Sequence, residues 1–255
     1  MTLLCFLKNA SFLVFVLATW LLVSTCCAAE NNATSSGKVS SNFYVSALGG
    51  VGFAALERQV DELGHFWADD VGVTKFYGTG ALSFGHRWPK QASALASTQR
   101  STFHGFDFSI LFHAFKDTVY DDTQGVSYPA SSTLHHNVAF ALAYMGGISY
   151  QTWSFYGKAG LSVGLFKDKT DFSSPQAAAL GYEAYHTVNS WTIGPTITLG
   201  AEYAINKAWR LNMQYASTLY PGIETRYRPA SNSDFNQNTG PMYIGQLMVG
   251  VTYLF

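Results

Sequence analysis

The residues of this chain whose side chains could do acid–base, nucleophilic or metal chemistry are seven histidines, two pairs of adjacent aspartates and three cysteines. A metal centre needs such groups at a spacing that lets them converge, and neither an HExxH element nor a zinc-type spacing occurs. His135 and His136 are adjacent, so in an extended segment they point to opposite faces and cannot share an ion. His104 and His113 stand nine positions apart, and His65 and His186 fall in expected loops, so the histidines read as solvated or interfacial. The pairs Asp69, Asp70 and Asp121, Asp122 read as solvated loop carboxylates or weak cation sites. A hydrolytic site would need a nucleophile, a base and a carboxylate gathered locally. No such constellation is visible, so no catalytic residue, no cofactor and no metal is expected.

Charge gives a different lead. Charged residues make up 12% of the chain and aromatics 16%, with 23 glycines, an odd mixture for a soluble enzyme. Asp107, Lys158, Glu202 and Arg210 are few, far apart in sequence and set among small polar residues. They would have to meet inside some enclosing structure to pair.

Residues 1–29 read as a secretory signal. Lys8 is their one charge, an apolar stretch runs from Ala10 to Val23, and Cys27, Ala28 and Ala29 close it, with cleavage expected after Ala29. The apolar stretch is shorter than the roughly 20 residues that a spanning helix needs. Acylation at Cys26 or Cys27 is poorly served by the preceding Thr25. Because Cys5, Cys26 and Cys27 all lie in this segment, the processed chain would hold no thiol and no disulfide. It would keep 14 basic and 16 acidic residues, leaving no basic face for nucleic acid. Residues 30–41 are polar and read as a flexible leader, which makes 42–255 the folded domain.

From Asn42 onward the apolar period is two, the mark of strands with one greasy face. Eight such segments are expected, at 42–53, 75–86, 102–114, 134–150, 153–166, 190–203, 209–220 and 242–255. Their apolar faces carry, among others, Phe43, Val45 and Val51; Phe76, Leu82 and Phe84; Phe106, Phe108 and Phe112; Val138, Phe140 and Leu142; Phe155, Leu161 and Leu165; Trp191, Ile193 and Leu199; Leu211 and Met213. None of the eight apolar faces carries a charge, whereas a Lys or Arg facing lipid costs ~2–4 kcal/mol at the midplane. The opposite faces hold Thr79, Ser83, Asp107, Ser109, His113, Asn137, Lys158, Ser162, Thr196, Thr198, Glu202, Arg210, Asn212, Gln214 and Gln246.

No run is apolar and long enough for a spanning helix, so a membrane could be crossed by strands alone. The fold class expected is therefore all-β: a closed, antiparallel, eight-stranded transmembrane barrel. A two-sheet sandwich would also alternate, but it has little use for Trp and Tyr at strand ends.

The connections alternate in length. Tyr150 is expected opposite Trp153 around a two-residue turn, and Tyr203 opposite Trp209 around Asn206, which puts four interfacial aromatics at one end. That phase also sets Glu202 opposite Arg210. Residues 55–74, 115–133, 167–189 and 221–241 are long and polar, as the outer loops of such barrels are. Two features fit less well: 87–101 is long for a tight turn, and Pro195 removes a ladder donor inside a strand, so a bulge or a later strand start is expected there.

Three segments carry a resemblance. The ending QLMVGVTYLF, with Leu247, Val249, Val251, Tyr253 and Phe255 in one phase, resembles the C-terminal signal by which outer-membrane barrels are recognised for insertion. The stretch GPTITLGAEYAINKAWRLNMQY, from Gly194 to Tyr215, resembles the hairpin of the eight-stranded family that includes the outer-membrane protein A transmembrane domain and the opacity proteins. SFYGKAGLSVG, from Ser154 to Gly164, is similar to that family's fifth strand. The resemblance implies a porin-like barrel in the outer membrane of a Gram-negative bacterium, loops outward. Its implied partners are outer-membrane lipid and lipopolysaccharide, the barrel-insertion machinery through the C-terminal strand, and a host or extracellular ligand through the loops. No peptidoglycan-binding segment is visible.

An eight-stranded bore is narrow enough for side chains to fill. Asp107, Lys158, Glu202 and Arg210 are therefore expected to form an ion network that plugs it, and the role expected is a structural, surface-antigen or adhesin-like one. The alternatives are a narrow ion- or solute-conducting porin, in which those charges gate, and, behind it, a lipid-modifying enzyme, although no motif of the known barrel enzymes is seen. Loop aromatics Phe66, Trp67, Tyr120, Tyr128, Tyr182, Tyr185, Tyr227 and Phe235 are candidates for ligand contact. Amino-terminal sequencing of the exported protein is expected to begin at Glu30; a chain that still carries Lys8 contradicts the signal-peptide reading.

Overall fold

The computed structural model describes residues 42–56, 58–62, 65–68, 73–90, 100–120, 131–171, 185–227 and 235–255. The expected signal and leader lie outside them. In chain order the strands are β1 (Asn42–Leu56), β2 (Arg58–Glu62), β3 (His65–Ala68), β4 (Val73–Lys90), β5 (Arg100–Tyr120), β6 (Ser131–Tyr150), β7 (Trp153–Asp171), β8 (Tyr185–Ala204), β9 (Trp209–Tyr220), β10 (Ile223–Tyr227), β11 (Phe235–Thr239) and β12 (Met242–Leu254). Eight of them, β1, β4 to β9 and β12, close into one antiparallel ring. Each pairs with its neighbour in sequence among the eight, and β1 pairs with β12 from Tyr44↔Leu254 to Ala55↔Tyr243, which closes the ring. Closure of this kind pairs each strand on both sides through the middle of the ring, the condition for crossing hydrocarbon with strands.

The alternation places the greasy face outside. Phe76 is 80% exposed, Phe43 62% and Leu142 61%, while the intervening positions are buried. On β7 the outward apolar residues run from Phe155 to Leu165, which at ~3.3 Å per residue and a tilt near 40° makes a band about 25 Å tall. Among the described side chains no Asp, Glu, Lys or Arg occupies an outward position within the band. Water does not cover such a wall; hydrocarbon does.

At one end the connections are tight. Tyr150 pairs with Trp153 around Gln151 and Thr152, and Gln151 takes a left-handed φ of 53°, as a two-residue hairpin turn of this hand requires. The other turn, Ile205 to Ala208, is held by Asn206, whose Oδ1 accepts from the backbone N–H groups of Ala208 at 2.9 Å and Trp209 at 2.8 Å. Here the expected register is corrected: Tyr203 lies opposite Leu211, and Arg210 opposite Ala204, so neither Tyr203 with Trp209 nor Glu202 with Arg210 is a directly opposed pair. The turn is centred one residue further along the chain, on Lys207 rather than Asn206, which accounts for both.

Several strands outrun their expected bounds. β4 continues through Arg87 to Lys90 and pairs with β5 up to Lys90↔Thr102, so the expected connection from 87 loses its first residues to the strand. His186, expected in a loop, belongs to β8. The first and last long connections also contain strands, β2 and β3 in one and β10 and β11 in the other, which form a second sheet in the order β10-β11-β2-β3.

Above the midpoint the ring opens at two seams. The β4–β5 ladder stops at Thr79↔His113 and the β8–β9 ladder at Thr196↔Thr218, although all four strands continue. Neither the bulge nor the later strand start expected at Pro195 occurs: β8 begins at Tyr185 and stays in register with β7 through Leu161↔Pro195, and Pro195 is the first residue beyond the β8–β9 ladder, so its missing donor comes where pairing ends. Asn137, expected inside, is exposed, because it is the extra residue of a bulge between His136 and Val138. That bulge turns His135 outward and His136 inward.

Because lipid rather than water covers the wall, Leu161→Arg is expected to destabilise the vesicle-inserted barrel by about 2–4 kcal/mol in urea unfolding. A change within about 0.5 kcal/mol, ordinary for a solvated surface site, contradicts it.

Candidate functional site: the filled barrel lumen

The inward positions fall into three layers. Toward the tight-turn end lie the charges with Tyr44, Phe103, Met145 and Tyr156. The middle is lined by small or slender groups, among them Ala81, Ala139, Ala141, Ala216 and Met248. The upper layer, between the two seams, is an aromatic and aliphatic core of Tyr77, Phe115, Leu134, Phe166, Tyr220, Met242 and Ile244.

In the lower layer the structure brings the four expected charges into two groups. Lys158 Nζ lies 2.9 Å from Asp107 Oδ2. Asp107 also accepts from Ser109 Oγ at 2.6 Å and from the Tyr44 hydroxyl. Glu202 lies 3.8 Å from Arg210, but its main partner is Arg87, which grips both carboxylate oxygens at 2.6 and 2.7 Å. This planar two-point contact is the strongest geometry open to such a pair. The Arg87 guanidinium also lies over the Tyr44 ring at 4.4 Å and near Phe103 at 5.2 Å, so that its apolar faces are covered too. Arg210 donates to Ser154 Oγ at 2.9 Å, and Asn212 reaches Thr252 at 3.0 Å and Glu202 at 3.4 Å. The Tyr156 hydroxyl lies 2.8 Å from Asn212 Oδ1 and 3.0 Å from Gln214 Oε1.

Arg87 is the residue that sequence reasoning missed. It shares the inward phase of Ser83 and was lost because the strand was ended at His86; the signal was one more step of the same alternation, with Trp88 outward. Three cations then face two carboxylates in this layer. No metal-type cluster of three or more His, Cys, Asp or Glu occurs among the described residues.

The histidines divide. His86 and His104 lie on the outer wall among Phe43, Trp88 and Tyr144, an interfacial setting. His113, which the period of two already placed on the inward face, and His136 are buried in the lumen and stacked at 4.3 Å rather than solvated or interfacial. His136 stacks in turn on Phe166 at 4.1 Å and reaches the Leu165 carbonyl at 3.0 Å. The bulge on β6 turns His136 inward to meet His113, and a strict period of two cannot foresee it.

The four expected interfacial aromatics, Tyr150, Trp153, Tyr203 and Trp209, stand exposed at the tight-turn end. Trp153 packs edge-on against Tyr203 at 5.1 Å and Trp209 against Tyr253 at 5.0 Å. Leu247, Val249, Val251, Tyr253 and Phe255 share the outward face of the last strand, and the Phe255 N–H donates to the Phe43 carbonyl at 2.9 Å. Of the loop aromatics, Phe66 and Trp67 lie in β3, Tyr120 and Tyr185 in β5 and β8, and Tyr227 and Phe235 in β10 and β11. Tyr128, Tyr182 and the paired loop aspartates lie outside the described residues.

A ring of eight strands, greasy without and polar within, with tight turns at one end and long connections at the other, defines a small transmembrane β-barrel of the outer-membrane type. No protein-family model matches the chain, and no curated protein does. Solved structures that align with it include Neisserial surface protein A, at 13% identity over 84% of this chain and 97% of that one, with a TM-score of 0.40. Outer membrane protein OprG from Pseudomonas aeruginosa aligns at 13% identity over 86% and 98%, with a TM-score of 0.43. A major outer membrane protein from Thermus thermophilus aligns at 14% over 85% and 100%, with a TM-score of 0.44. At these identities and scores none of them lends its function to this chain.

Removing one partner of a buried pair strands the other. Lys158→Met is expected to destabilise the barrel by about 3–5 kcal/mol, and Lys158→Met with Asp107→Asn to recover more than half of that loss. Additive losses in urea unfolding contradict a direct pairing.

Proposed function

We propose that this protein is an outer-membrane surface barrel of a Gram-negative bacterium that acts as a structural anchor and presents its long connections for interaction, as an adhesin or antigen does. One observation carries the reading: the lumen wall is inaccessible. A water-filled bore would leave inward side chains open to solvent, yet Ser83, His136, Met145, Glu202, Met248 and Thr252 are 0% exposed. The two ion groups and the aromatic layer above them act as a plug. With the bore closed, the surfaces left for function are the wall, which meets lipid, and the end that carries the long connections. The second sheet, β10-β11-β2-β3, gives that end a framework of its own. The C-terminal strand, with Phe255 last, serves as the strand recognised during insertion, since before closure it is an unpaired amphipathic edge.

Conductance of the refolded protein in planar bilayers tests the plug. A silent membrane is the expected result, and steady steps that change with Glu202→Ala would establish the narrow-pore alternative instead. Incubation with lipopolysaccharide and phospholipid is expected to leave both unaltered by mass spectrometry; a cleaved or newly acylated lipid would contradict the non-enzymatic reading.

A further inference from the structure

On one side of the barrel the outer wall changes chemistry abruptly. At the top of the apolar band β5, β6 and β7 present Phe112, Val138 and Leu165, and the next charged or titratable outward residues are Lys116, His135 and Lys167. Register sets Lys116 opposite His135 and His135 opposite Lys167, with Lys169 in the following row opposite Thr133. With strands ~4.8 Å apart, four basic side chains share a patch about 10 Å across. The three lysines are exposed and His135 is half-buried.

Among the described residues few carboxylates share this outer face. Asp117 and Asp168 are sequence neighbours of these lysines but point into the lumen, where Lys75 lies 3.2 Å from Asp117 and Ser132 donates to Asp168 at 3.0 Å. Asp171 is the one described carboxylate on the same outer face, one outward position beyond Lys169. Among the described residues the ion pairs engage Lys75, Arg87, Lys158 and Arg210, and none of the three lysines of the patch. β8 completes the surface with Asn189 beside Lys167 and with Tyr185, whose ring carries Lys169 Nζ at 4.6 Å. The opposite side of the rim is different: Phe53 and Tyr243 pack there at 5.8 Å.

Cations gathered beside hydrocarbon repel one another unless an anion covers them. Besides the single Asp171 carboxylate, the anions that an outer-membrane setting offers at that height are lipid headgroups. We propose that Lys116, His135, Lys167 and Lys169 form a docking site for the phosphate-bearing headgroup of an outer-leaflet lipid, its acyl chains lying along Phe112, Val138, Leu165 and Trp191 below. The site rests on the outer-membrane reading given above, and it assigns that reading a specific contact on one face of the wall.

The exported, processed protein in detergent tests it, with lipopolysaccharide as the probe and native mass spectrometry counting the lipid retained. Wild type is expected to hold lipopolysaccharide about 10- to 100-fold more tightly than the Lys116→Ala, Lys167→Ala, Lys169→Ala variant. Arginine at the same three positions restores retention, enzymatic removal of the phosphates abolishes the difference, and excess inorganic phosphate does not displace the lipid. Equal retention by wild type and a triple variant whose gel mobility still shifts on heating overturns the site; displacement by inorganic phosphate overturns the lipid as its occupant. Failure of wild type to insert into phospholipid vesicles would instead overturn the membrane reading itself, so the two failures are told apart.

Discussion

Hydrocarbon offers no hydrogen bonds. Every backbone N–H and C=O that crosses it must find a partner within the protein, at a cost of several kcal/mol for each that does not. The β1–β12 ladder serves that demand by joining the first strand to the last, which closes the ring around its lower and middle parts. Once the ring is closed the period of two has one meaning: odd and even positions face lipid and lumen. The wall must then be Phe, Leu, Val and Trp, and the polar residues have nowhere to go but inward.

An enclosed lumen makes its own demands. Eight strands leave a bore that side chains must fill, and charges placed there must be paired or remain costly. The chain answers with two different kinds of filling. Near the tight turns Arg87 clasps Glu202 and Lys158 meets Asp107, each buried group held by further hydroxyl, amide or ring contacts. Near the long connections, where the ladders part at Thr79 and Pro195, the filling is apolar, with Tyr77, Phe115, Phe166 and Tyr220 packed around two stacked histidines. There the upper barrel behaves as two facing leaves with a core between them, which keeps it closed where backbone pairing no longer does.

Most of this architecture was legible in the sequence because one physical rule, side chains alternating across a strand, repeats eight times without a charge on the greasy face. The strand from Trp209 to Tyr220 falls at its expected bounds, and the turn at Gln151 and Thr152 follows from phase alone. Legibility fails where alternation is interrupted or where partners come from distant strands. Asn137 sits outside and His136 inside because a bulge adds a residue. Arg87 became visible as the chief partner of Glu202 only when β4 was seen to continue past His86. The pairing of β2 and β3 with β10 and β11 joins segments far apart in the chain, and no local pattern carries that information.

The claim beneath all of this is that the first and last strands lie side by side in a ring that forms in a bilayer. The direct measurement is an engineered cross-link between them: Ser46 Oγ and Thr252 Oγ1 are 2.8 Å apart at directly opposed positions. In a chain made to begin at Glu30, Ser46→Cys with Thr252→Cys is expected to form a disulfide rapidly and nearly completely after insertion into phospholipid vesicles, leaving a barrel that keeps its folded gel mobility. A pair that stays reduced in a chain that is soluble and monomeric without detergent would contradict the closed ring and everything derived from it.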